Sequence, residues 1–141
     1  MVFSLGHSER ERIEVDVLSY EHAPVGEPFD DNWLRVDIRV QAGGFRGSVS
    51  AAILTGDLVA FASQLRPLFE TRSGSAQFST MEGQLSLRLV GDAKGHIELL
   101  GEVSDKAGIG NRLHFKLDFD QSQLGASLRE LDKVTSQFPV R

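Results

Sequence analysis

The chain has 141 residues, 40% hydrophobic and 25% charged, with a net charge of −5 and no cysteine. That is enough apolar material for one domain over residues 1–141 with a core of its own, needing no metal or disulfide staple. It excludes disulfides, thiol catalysis and cysteine-based zinc sites, and the acidic balance argues against nucleic acid, whose binders neutralise phosphates with Lys and Arg.

Val2 to Leu5 reads as a short edge strand. The apolar stretch at Met1 to Gly6 runs into Glu9, Arg10, Glu11 and Arg12. It is too short for a signal peptide, and nowhere do the roughly 18 apolar residues of a membrane span occur. A cytoplasmic protein with no membrane partner is expected. Ile13, Val15 and Val17 alternate with Glu14, Asp16 and Leu18, as in a strand with one wet face.

Residues 22–32 hold Pro24, Gly26, Pro28, Asp30 and Asp31, a loop signature. At about eleven residues the loop exceeds the usual connection length, and long loops often carry function. Glu27, Asp30 and Asp31 give it an acidic surface beside Trp33, the single tryptophan. Tryptophan is over-represented among interface hot spots, so these four residues are the candidate partner-binding site. Solvation of the loop by the acids, and packing of Trp33 beneath it, are the competing structural readings.

A hairpin follows. Leu34, Val36, Ile38 and Val40 alternate with Arg35, Asp37, Arg39 and Gln41, and after Gly43 and Gly44 come Phe45, Val49, Ala51 and Ile53 on alternating positions. Two glycines supply the positive φ angles of a tight turn. With Ala42 opposite Phe45, Val36 meets Ala51, Ile38 meets Val49 and Asp37 meets Ser50. Thr55 or Gly56 then starts a helix with an apolar stripe of Leu58, Phe61, Ala62, Leu65, Leu68 and Phe69. Asp57 suits its positive end. Pro67 is expected to kink or shorten the last turn, and residues 72–75 to form a turn.

Ala76, Phe78 and Thr80 predict a strand, as do Leu85, Leu87 and Leu89. The last two strands are the most regular. Ile97, Leu99 and Val103 face Phe119, Leu117 and Leu113 if Val103 pairs with Leu113, which also places Glu102 beside His114. A slip of one residue would turn the Leu and Phe side chains outward, each losing roughly 1.5–3 kcal/mol of burial. From Asp120 the period changes. Leu124, Leu128, Leu131, Val134 and Phe138 form a helical stripe. Asp120 is the expected N-cap, with Gln123 reaching back to its amide, and Pro139 the stop. This helix is expected on the sheet face of Phe115, Leu117 and Phe119. The fold class is therefore α+β: a single curved antiparallel sheet of about seven to eight strands with two helices packed on it.

No constellation of catalytic residues emerges. His96, His114 and Asp118 share a wet face, but no histidine spacing favours a metal, and Asp120 is better used as a cap than as one of a carboxylate pair. The glycines at 43–44 and 108–110 lie between strands, so no phosphate loop is expected, and no serine sits in a nucleophile elbow. No catalytic residue, metal or cofactor is predicted.

Several of these segments resemble the WapI family of bacterial immunity proteins. They are Asn32, Trp33 and Leu34 leading the hairpin; Thr55, Gly56, Asp57 and Leu58 running to Leu65; Gly95, His96 and Ile97; and Leu113 to Phe119 followed by Asp120, Gln121, Ser122 and Leu124. The resemblance spans residues 30–138. It implies a small cytoplasmic, non-catalytic protein that binds and neutralises a cognate toxin domain. It carries over no interface residue. A small-ligand carrier, an uncharacterised regulatory module and an enzyme assembled from scattered residues such as His96, His114 and Asp118 are the alternatives. Monomer and homodimer are both open.

Overall fold

A computed structural model describes residues 1–141. Its strands are β1 (Val2–Leu5), β2 (Glu11–Tyr20), β3 (Trp33–Ala42), β4 (Phe45–Leu54), β5 (Ser73–Ser79), β6 (Leu85–Asp92), β7 (His96–Ser104) and β8 (Arg112–Asp120). Two α-helices, α1 (Thr55–Thr71) and α2 (Leu124–Gln137), interrupt and close the series. All strand pairs are antiparallel, so the class is α+β.

The strands form two four-stranded sheets, β1-β2-β3-β4 and β5-β6-β7-β8, and not the one continuous sheet expected. The division falls at α1, which carries the chain from the edge of the first sheet to the edge of the second. Alternation within each strand is identical for one sheet or two, so periodicity is blind to the break. Both sheets turn one face into a shared core of 30 buried apolar residues, to which the helices add Leu58, Phe61, Leu65, Leu124, Leu128 and Leu131. The sheets approach each other where β8 passes β2 and β3.

Registers follow the burial argument. Ala42 pairs with Phe45, Val36 with Ala51 and Ile38 with Val49. Val103 pairs with Leu113, Leu99 with Leu117 and Ile97 with Phe119. Gly101 stands opposite Phe115, whose ring fills the space a side chain there would occupy: a Cβ on Gly101 would lie 2.2 Å from Phe115 Cζ.

Four local expectations are corrected. Pro67 does not shorten α1, which runs on to Thr71. One missing amide costs the helix a single bond, the Thr71 hydroxyl donates back to the Pro67 carbonyl at 2.9 Å, and Arg72 N–H closes the end on Leu68 O. Residues 72–75 are not a turn. Arg72 (φ 64°) and Gly74 (φ 100°) have positive φ, yet Ser73, Gly74 and Ser75 already pair with β6. Asp120 caps a 3-10 turn (Gln121–Gln123) ahead of α2, accepting from Ser122 N–H at 2.8 Å. The Gln123 side chain does not reach back to it; its amide oxygen Oε1 accepts from His7 N–H at 3.2 Å. Finally, the main-chain neighbours of α2 are β1 and α1, so it is not centred on Phe115, Leu117 and Phe119. The unpaired side of edge strand β1 draws it there: Ser127 Oγ donates to Ser4 O at 2.6 Å, and Ser4 N–H donates to Glu130 at 3.0 Å.

Candidate functional site

The connection from β2 to β3 is the largest exposed irregular segment, and its conformation is set by two side chains at its end. A short 3-10 turn (Asp30–Asn32) leads into β3. Asp31 is buried, and its carboxylate accepts from Val25 N–H at 2.8 Å and Gly26 N–H at 2.9 Å. Those amides, that of Val25 first, hold its pKa below the ordinary aspartate value. Gly26 sits at φ +88°, where a side chain would strain the loop.

Asn32 is the second anchor. Its amide donates to the carbonyls of Pro28 and Arg141, and its oxygen accepts from Arg141 N–H at 2.7 Å and Thr55 Oγ at 2.8 Å. Arg141 completes the clamp. Its guanidinium donates to Asp31 O and His22 O, both at 2.9 Å, and lies 3.8 Å above the Tyr20 ring. Tyr20 in turn packs edge-on against Phe138 and donates its hydroxyl to Pro139 O. The loop is thus tied to α1 through Thr55 and to the chain after α2 through Arg141.

What the clamp presents is a mixed acidic and apolar surface. Glu21, Glu27 and Asp30 are exposed, as are Val25 at 67% and Phe29 at 53%. Phe29 stands perpendicular to the half-buried Trp33, ring centres 5.6 Å apart. Trp33 pairs across the hairpin with Leu54.

Of the four residues singled out from the sequence, Glu27, Asp30 and Trp33 therefore reach the surface, and Asp31 faces inward to hold the loop. Phe29 and Val25 were missed. Their signal was present in the chain: a Phe and a Val in a Pro/Gly loop have no alternating partner to bury them.

The other candidates form a different picture. His96 Nε2 is 3.0 Å from Asp118, Lys116 is 3.6 Å from the same carboxylate, and His114 is 3.7 Å from Glu102. All lie on the solvent side of β7 and β8, where they make cross-strand pairs. No group of three metal-ligating side chains converges anywhere.

A groove of about 500 Å³ runs along the solvent face of the first sheet between Arg12, Glu14, Arg39 and Arg46. Its lining is charged and polar, with Val40 the one hydrophobic residue, so it offers little to an apolar ligand. No helix is long and apolar enough to cross a membrane.

No curated protein matches the chain. A family profile does: that of the immunity protein WapI-like family aligns with residues 4–139. The match takes in both sheets, both helices and the clamped loop, and the chain belongs to the WapI-like family of immunity proteins.

Proposed function

We propose that the protein neutralises a cognate toxin domain by direct, non-catalytic binding, and that the loop between β2 and β3 supplies part of the contact surface. One observation carries the reading: an acidic loop exposing Phe29 and Val25 is held in shape by the hydrogen bonds of two buried residues, Asp31 and Asn32. Exposed aromatics on a preordered backbone bind with little entropy lost on association. Aromatic anchors ringed by charge are the usual anatomy of an interface core and rim. Glu27 and Asp30, with Glu21, suit a basic partner such as a nuclease domain, whose association acidic rim groups accelerate in a salt-dependent way. Trp33 backs Phe29, and Asp31 acts by holding the loop in shape.

The test begins with capture by the tagged protein of a toxin domain encoded beside it, followed by binding kinetics at two salt concentrations. Glu27→Lys with Asp30→Lys is expected to slow association and flatten its salt dependence. Phe29→Ala is expected to raise the dissociation rate about tenfold or more. Asp31 is left intact, since its replacement would disturb the loop itself. A complex whose rates are unmoved by all three changes would remove this loop from the interface.

A further inference from the structure

The two sheets have four edge strands, and three of them are protected. On β1 the main chain of Ser4 is taken by Glu130 and Ser127 of α2. On β5 the Gln77 amide donates to Gln64 of α1 at 3.0 Å. β8 carries Arg112, His114, Lys116, Asp118 and Asp120 on its outward positions. Charged side chains and covering elements are how sheets avoid pairing with foreign strands.

Strand β4 has neither defence along most of its length. It is ten residues long, and Arg46 is its one charged residue. The two-residue turn at Gly43 and Gly44 makes Ala42 and Phe45 a hydrogen-bonded pair. Phe45, Gly47, Val49, Ala51 and Ile53 therefore bond to β3, and Arg46, Ser48, Ser50, Ala52 and Leu54 turn their main-chain groups outward. Two of those groups are accounted for. Ser50 O accepts from Gln84 at 3.1 Å, and Leu54 N–H donates to Asp57 at 3.1 Å. Both amide and carbonyl of Arg46 and of Ser48 have no partner within the chain, nor does the Ser50 amide. All three residues are exposed.

We infer that this edge pairs with the β4 edge of a second copy, antiparallel about a two-fold axis at Ser48, joining two four-stranded sheets into one of eight. In that register Ser48 exchanges both main-chain bonds with its counterpart, and Arg46 exchanges both with Ser50 of the other copy. The Ser50 carbonyl has a second lone pair for this while keeping Gln84.

Side chains favour the same register. Asp37 lies directly behind Ser50 on β3, its carboxylate held by the Ser50 hydroxyl at 2.9 Å and by no cation. Arg46 donates to Gln41 at 2.8 Å and makes no ion pair within its own chain. Two strand spacings, about 10 Å, separate Arg46 from Asp37 of the other copy, a gap the two side chains span together. Each dimer would gain this pair twice. On the opposite face Phe45, 68% exposed, would come to rest beside Ala51 of the second copy.

Sedimentation velocity from micromolar to near-millimolar protein tests the inference. The native chain is expected to dimerise with rising concentration. Ser48→Pro removes an amide that no intrachain bond uses, which an edge strand tolerates, and is expected to stay monomeric, while Ser48→Ala dimerises normally. Arg46→Asp is expected to weaken dimerisation about tenfold, the loss of two partly exposed ion pairs, and adding Asp37→Arg to restore it. Matching circular dichroism melts establish that the Pro variant is folded. A native chain that remains monomeric over the whole range overturns the inference and leaves the edge free for a strand of another protein. A dimer indifferent to folded Ser48→Pro overturns it equally.

Discussion

Replacing Asn32 with Ala probes the clamp that shapes the proposed binding loop. The native side chain makes four hydrogen bonds, with Pro28 O, Arg141 O, Arg141 N–H and the Thr55 hydroxyl. Thr55 is 1% exposed, so its hydroxyl would be stranded without water, at a cost of about 1–3 kcal/mol. The Pro28 and Arg141 groups are nearer solvent and would recover most of their loss. A net destabilisation of about 2 kcal/mol follows, or roughly 7 °C in melting temperature for a domain of this size. Urea denaturation measures the first quantity. Amide hydrogen exchange measures the second consequence: faster exchange across residues 21–32, with β7 and β8 unchanged under native conditions. Thr55→Val in the Asn32→Ala background removes the stranded hydroxyl and is expected to recover part of the loss. A destabilisation below about 0.5 kcal/mol, with exchange in the loop unaltered, would refute the assignment of Asn32 as its anchor.

Two further perturbations test the rest of the fold. Gly101→Ala places a methyl inside the Phe115 ring, and displacing that buried ring is expected to cost about 1–3 kcal/mol in the urea midpoint; an unchanged midpoint would mean that the ring has somewhere else to go. Acid is expected to weaken the protein below the ordinary carboxylate range. Asp31 and Asp120 accept main-chain amides, Asp92 accepts those of His96 and Lys94, and Asp105 accepts from Asn111, and each is held below its ordinary value. The unfolded chain then binds more protons than the folded one between the unfolded value, about 3.9, and the lowered folded values. Stability is fully present above that window and falls as pH drops through it. Asp57, raised by burial, opposes the trend. Unfolding free energies measured from pH 5 downward check the sign, and Asp31→Asn is expected to reduce the slope.

How much of this was legible in the chain depends on the range of each interaction. The register of β7 against β8 follows from Leu99, Leu113, Leu117 and Phe119 alone, because a one-residue slip exchanges the buried face for the wet one. The β3–β4 hairpin follows from its glycine turn and the same alternation. Cap details were less legible. Gln123 had a local use predicted for it, yet its oxygen serves His7, more than a hundred positions away in the chain. Asp31 looked like one more solvating acid in a polar loop because its partners, the amides of Val25 and Gly26, carry no sequence signature.

The division into two sheets has a deeper cause. Strand periodicity reports only that one face of each strand is buried, and a face buried against a helix reads the same as one buried against another sheet. What separates the two arrangements is the pairing of edges, and edges are recognised by what they lack. β1, β5 and β8 carry visible protection in the form of helix contacts or charges. β4, with Ser48, Val49, Ser50, Ala51 and Ala52 in succession, has the composition of an interior strand although it ends a sheet. The strand that reads as interior in the sequence is thus the one whose outer main-chain groups the rest of the chain leaves largely uncovered.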